Sequence, residues 1–359
     1  MTHFSALPME VVSPGNNPAS PEKITLGKLL FFDPILSGNK DVACASCHHP
    51  RNGYAESLEI SIGVNGKGFG SKRHFRTPNE IPFTKRNAHT IINTAFNGIS
   101  SRRKFRPTDS PMFWDLRVKG LEAQALEPIK ALEEMRGTHY TEEQILSVVI
   151  VRIQAIPEYR QLFRAAFGKG EVITPENLAK AIAAFERSLV TNNSRFDQYM
   201  RGDRSAISLS EKEGFLEFKK AGCGSCHNGP MFSDYQAHVL GVPPSPKLTE
   251  RDNGVDSSFA FRTPSLRNLR FTFPYMHNGS LKSLKQVLEF YEDISFGKSR
   301  NPAVMKADMD PLVKHLRVEV KHMNQIISFL NTLNDNRFDQ EEPSSVPSGL
   351  PVGGNLELK

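Results

Sequence analysis

All four cysteines of the chain lie in two copies of one short pattern, Cys44-Ala-Ser-Cys47-His48 and Cys223-Gly-Ser-Cys226-His227. Two thiols at this spacing can add to the two vinyl groups of one porphyrin. The adjacent histidine then falls under the iron as its axial ligand, so C-x-x-C-H is the attachment string of a c-type haem. Two other chemistries use the same residue types. A zinc site drawn from all four cysteines would leave both histidines unexplained and would have to unite motifs 179 positions apart. A thioredoxin-type dithiol normally occurs once, near a βαβ pattern, and no such alternation is visible. Two covalently bound haem c groups remain the reading that uses every cysteine with its histidine. Thioether formation follows export, which points to the periplasm or a comparable compartment and leaves no cysteine for a disulfide.

The segments that must position these motifs are alike. Residues 20–33, SPEKITLGKLLFFD, precede the first, and 208–222, SLSEKEGFLEFKKAG, precede the second. Ser20-Pro21 reads as an N-cap and first helical position, and Ser208-x-x-Glu211 as a capping box. A helix leading into each motif predicts duplicated cytochrome c-like domains. Between them, Thr141-Glu-Glu-Gln144 opens an apolar run through Ile156, Pro157 to Phe167 follows, and Thr174-Pro175 caps ENLAKAIAAFERSLV. Residues 61–85 and 241–258 read as loops, 312–334 as one long closing helix, and 336–359 as a mobile tail. The expected fold class is mainly α with few or no strands. The domains are an N-terminal extension (1–19), a first haem domain (20–204), a second (205–335) and the tail (336–359).

Composition limits what else the chain can be. Its 359 residues carry 45 Lys and Arg against 39 Asp and Glu, a net charge of +6 without any long basic run, which gives nucleic-acid binding little support. Apolar residues make up 38%, enough for real cores. No apolar run is long enough for a membrane span. The start, MTHFSALPMEVV, lacks the basic and apolar regions of a signal peptide, so an exported protein would already have shed its signal.

A second set of strings resembles one family. LGKLLFFDP, CASCHHP, KRNAHTIINTAFN, FWDLR, QALEPIKALEEM, RFDQYMRGD, CGSCHNG, FRTPSLRNL and PYMHNGS occur in that order from about residue 24 to 336. Together they resemble the bacterial di-haem cytochrome c peroxidase family, which includes MauG. The resemblance implies that Trp114, the chain's one tryptophan, stands between the haems as an electron relay. Leu116 occupies a position where the family usually has Gly. Gln124, Pro128 and Glu134, at spacings of 10, 14 and 20 from Trp114, match residues over the open face of the first haem. A carboxylate there can move the peroxide proton from the inner to the leaving oxygen, and an amide can hold the peroxide. Glu134 with Met135 fits the family pattern better than Glu133 does. Where many relatives place a histidine that closes the first iron, this chain has Val64, so the site is expected to stand open. His74 and His89 are alternatives for that role, more simply read as loop histidines.

At the second haem the matching ligand position, 14 residues after His277, is Tyr291 rather than the methionine of many peroxidases. Leu284, Val287, Leu288 and Tyr291 share one helix face, and Met276 is a weaker candidate ligand. A phenolate stabilises higher oxidation states where a thioether favours Fe(II). The resemblance therefore implies a MauG-like enzyme that uses H2O2 to reach a high-valent di-haem state and oxidises Trp or Tyr of a partner protein. The alternatives are a peroxidase drawing electrons from a small cytochrome c or cupredoxin, and a non-catalytic carrier. One departure is Ala221, where MauG has a second tryptophan. A Ca2+ held by Asn87 and by backbone oxygens of Thr272 and Pro274 is implied by the resemblance alone.

Overall fold

The structure, a computed structural model, describes residues 3–100 and 104–358. The Ser20 hydroxyl accepts a hydrogen bond from the Lys23 amide (3.3 Å) and Pro21 needs no N–H partner, so α1 starts there and runs Pro21–Phe32. It leads into the first motif, whose cysteines bound the short helix α2 (Cys44–Cys47). Next come α3 (Leu121–Gln124), α4 (Glu127–Lys130), one π-helical turn (Leu132–Arg136), α5 (Glu142–Ala155), α6 (Pro157–Phe167) and α7 (Pro175–Ser188). The second half holds α8 (Arg195–Met200), α9 (Leu209–Lys220) with the Ser208–Glu211 capping box, α10 (Leu284–Ser295) and α11 (Met323–Asn331).

The duplication is visible in the packing. In each half, the helix before the motif crosses the last helix of that half at a glycine. A Cβ on Gly27 of α1 would stand 2.0 Å from Ala181 O of α7, and one on Gly214 of α9 would stand 2.0 Å from Gln325 O of α11. Only a residue without Cβ lets these backbones meet. Around the first crossing Leu26, Leu30, Val149, Leu178 and Ile182 form one core; around the second, Phe196, Phe218, Phe232, Ile326 and Phe329 form another. Asp197 joins the layers of the second half. Its carboxylate takes both guanidinium arms of Arg267 (2.8 and 2.9 Å), fully buried.

Strand content among the described residues is small: three two-stranded antiparallel ladders, β1 (Gly66–Lys67) with β2 (His74–Phe75), β3 (Pro111–Met112) with β4 (Val118–Lys119), and β5 (Ala237–Val239) with β6 (Ala260–Arg262). The β3–β4 turn carries Trp114. No helix among the described residues is long and apolar enough to cross a membrane.

Two expectations are corrected. The segment 312–334 is not one helix: Pro311–His315 and Val320–His322 are 3-10 turns and only Met323–Asn331 is α-helical. Between the turns Arg317 N donates to Ala221 O (3.0 Å), an extended tie that helix would forbid. Residues 336–358 are not a loose tail. Val346 and Leu356 are buried, Tyr54 Oη donates to Asp339 O (2.8 Å), Ser348 Oγ to Asp33 (2.6 Å), and Gly354 bridges Val42. Their Pro, Ser and Gly content suits a strap as well as a tail, because short polar turns can supply backbone hydrogen bonds to a neighbour. The N-terminal residues cross the other way. Phe4 packs against Phe215, Phe218 and Phe232, and Leu7 N donates to Asp197.

Candidate functional site

Both motifs aim their histidines by one device. His48 Nδ1 lies 3.2 Å from Tyr54 O and His227 Nδ1 lies 2.9 Å from Phe232 O. A ring nitrogen facing a carbonyl must carry the proton, which leaves Nε2 with the lone pair for a metal. Burial lowers both imidazole pKa values, so both rings are neutral, the ligating form. All four thiols are free and partly exposed to the crevices. Cys223, Cys226, His227 and Tyr291 line one large, mainly apolar cavity in the second half. A carbonyl-locked imidazole beside paired free thiols, twice over, fits covalent haem.

Tyr291 reaches that cavity from the inner face of α10. Its hydroxyl makes no hydrogen bond to the described residues, whereas Tyr54 and Tyr275 each donate to a carbonyl. Burial pushes its phenol well above the ordinary value. A hydroxyl left without a chain partner on a cavity wall is free to meet whatever occupies the cavity. Met276 lines the same cavity at a left-handed φ of 74°.

Trp114 closes another side of the cavity, with Nε1 donating to Asn87 O (3.0 Å). Its ring meets His89 edge-on, centroids 5.8 Å apart. Burial, then the charges of Arg262 and His48, hold the His89 imidazole well below its ordinary value. His89 therefore stands beside both Trp114 and the first motif's histidine. His74 is exposed on β2 with Nδ1 against Lys72 O (3.0 Å). The Trp114–His89 contact is missed by sequence reasoning; its only signal is the two-residue spacing from Asn87, which holds the indole.

Glu134 sits in the π-helical turn, half-buried, close enough to Cys44 and Cys47 to act on both thiols electrostatically. Burial, followed by repulsion from Glu133, pushes its carboxyl up to about 7. Val64 is fully buried against the same turn, its N–H donating to Glu133 O (3.2 Å). The approach depends on Gly63, where a Cβ would stand 2.3 Å from both Glu133 O and Glu134 O. Gln124 ends α3 and Pro128 lies in α4, the helices leading into the turn. Asn87, Thr272, Pro274 and Trp114 all line the second cavity. Asn87 Nδ2 donates to Leu58 O (2.6 Å), which leaves its amide oxygen for another partner.

Among the described residues, one further group has metal-ligand spacing: Cys226, Asp234 and His238. There His238 is held between Asp234 (3.0 Å) and Asp310 (2.6 Å), and the thiol belongs to the second motif.

Two C-x-x-C-H crevices in one helical chain define a di-haem c-type cytochrome. A sequence model of the di-haem cytochrome c peroxidase family matches residues 21–205, and the chain belongs to that family. It is 36% identical over 331 residues to the methylamine utilization protein MauG of Methylorubrum extorquens, covering 91% of this chain and 82% of the relative. It is 31% identical over 349 residues to the cytochrome c551 peroxidase of Nitrosomonas europaea, covering 95% and 87%. Among solved structures, a MauG-like protein associated with microbial copper homeostasis superposes with a TM-score of 0.72 at 27% identity, covering 92% of this chain and 95% of that one. The chain is thus an oxidoreductase of the di-haem peroxidase type. The family implies two haem c groups, hydrogen peroxide as oxidant, and a partner protein or electron donor.

Proposed function

We propose that this periplasmic enzyme uses H2O2 to oxidise tryptophan or tyrosine side chains of a partner protein. The observation that carries this reading is Tyr291, whose unpartnered hydroxyl enters the second cavity where many relatives supply a thioether. His48, His227 and Tyr291 would hold the two haem irons, which would supply the redox chemistry for peroxide. The chain's own residues handle the protons. Glu134 takes the proton of the inner peroxide oxygen and returns it to the leaving oxygen, and the Gln124 amide holds the peroxide. Pro128 shapes the same wall, and Val64 leaves the first face without a protein ligand. Trp114, fixed through Asn87, joins the two centres. Over a full turnover peroxide takes up two electrons and two protons to give two waters, and the partner's side chain loses them. The amide oxygen of Asn87 and the backbone oxygens of Thr272 and Pro274 would hold a Ca2+, a hard cation suited to few protein oxygens plus water.

The rival is peroxide scavenging with electrons from a small cytochrome or cupredoxin. The test is Tyr291→Met beside the wild type. A thioether should raise the second haem's potential, read by spectroelectrochemical titration, and increase peroxide turnover with reduced cytochrome c. The wild type should oxidise Trp or Tyr in proteins co-purified from its host, mapped by mass spectrometry after peroxide. Fast cytochrome-dependent turnover by the wild type, with no oxidised partner residue, would replace this function by scavenging.

A further inference from the structure

The chain from Pro311 to Leu316 walls the second haem cavity with Leu312, Val313 and Leu316. The tie from Arg317 N to Ala221 O joins it to the end of α9, two residues before Cys223. Along this seam five cations are exposed: Lys219, Lys220, Lys314, Arg317 and Lys321. The carboxylates beside the tie are Glu217 and Glu319, each already paired, with Lys220 and Lys321 respectively, at 2.7 Å; Glu213 is exposed earlier on α9, between Leu209 and Leu216. Lys219, Lys314 and Arg317 have no carboxylate partner among the described residues. Lys219 lies 4.5 Å over the Phe215 ring, and the Arg317 guanidinium donates to Lys314 O and Leu316 O.

The seam also shows apolar side chains. Leu209 and Leu216, one α9 face seven residues apart, are 77% and 48% exposed, and Val320 across the seam is 64% exposed. The two sides are close: Glu217, next to Leu216, lies 3.8 Å from His322. Scattered exposed apolar residues are ordinary. Here Leu216 and Val320 accompany three unpaired cations, Lys219, Lys314 and Arg317, near a redox cavity, a combination that suits a transient protein interface.

We propose that this face docks an acidic redox protein, the partner or donor of the reaction described above, on which this inference rests. Three uncompensated cations select against a basic partner and steer an acidic one to the second haem. Ala221 is buried at the seam and offers no aromatic side chain there, so the partner must approach the cavity wall itself.

The test uses the di-haem holoprotein with two probes, an acidic monohaem cytochrome c and a basic one, and measures association by stopped flow over a range of salt. The wild type should bind the acidic probe faster, with a rate that falls as salt rises. The triple variant Lys219→Glu, Lys314→Glu, Arg317→Glu should slow that association by about tenfold or more at low salt. Lys285→Glu, a surface charge change on α10, should not. Equal association of both probes, or an unchanged triple variant, overturns the docking face. So does a triple variant that loses only its adhesion to anionic phospholipid vesicles, which would assign the seam to a lipid surface. Failure here leaves oxidation of partner side chains by the wild type intact, whereas failure of the proposed function shows as peroxide turnover without any oxidised partner residue.

Discussion

Glu134 and Glu133 are neighbours with the same chemistry and different surroundings. Glu134 is close enough to Cys44 and Cys47 to act on both thiols and has its carboxyl raised to about 7, while the Glu133 backbone carbonyl is occupied by Val64 N–H. A base must be ionised to take a proton, so the reaction with peroxide should accelerate as pH rises through about 7. Glu134→Gln should slow that reaction by roughly 10² to 10⁴ and abolish this pH dependence, with both haems retained. Glu133→Gln should change the rate little, and removing its repulsion should move the pH profile slightly down. Stopped-flow absorbance after peroxide addition reads all three. Equal small losses from both variants would mean that neither carboxylate is the base.

At the scale of elements, the β3–β4 turn shows how Trp114 is held at the cost of backbone strain. Leu116 stands at φ 62°, a left-handed conformation that disfavours a side chain with Cβ. Trp114 is fixed two residues earlier through Asn87 and through its own carbonyl, which accepts from Arg262 N (2.8 Å). Leu116→Gly should therefore stabilise the protein by up to about 1 kcal/mol, less the added freedom of the unfolded chain. Thermal melting of the holoprotein checks it, and a loss of stability would mean that the Leu116 side chain contributes more packing than the turn costs. The same turn marks what the sequence could disclose. The motifs and the capped helices α1, α5, α6, α7 and α9 follow from local strings, because caps, prolines and thiol spacing act over a few residues. The break in 312–334 does not, because it depends on Ala221 O, about a hundred residues away. The Trp114–His89 contact and the Gly63 cradle are likewise products of tertiary approach. Val64 and Tyr291, by contrast, stand out in the sequence once the family pattern is laid against it.

Across the whole molecule, the two chain ends cross. Phe4 and Leu7 strap the half built around α9, while Val346, Gly354 and Leu356 strap the half built around α1. Deleting residues 338–358 should cost about 3 kcal/mol or more from the burial of Val346 and Leu356 alone. It should also loosen the first motif before the second, as read by hydrogen exchange at residues 44–54 against 223–232. A truncated protein as stable as the full chain would mean that the strap contributes nothing to the first half. The strap also fixes an order of assembly. Ser46, between the two cysteines of the first motif, donates its hydroxyl to Gly353 O (2.9 Å). That carbonyl lies 307 residues further along a chain made from its N-terminus, so the first pair of thiols emerges long before this cover exists. The first motif is therefore made without this cover, and the segment around Gly353 closes over it only afterwards.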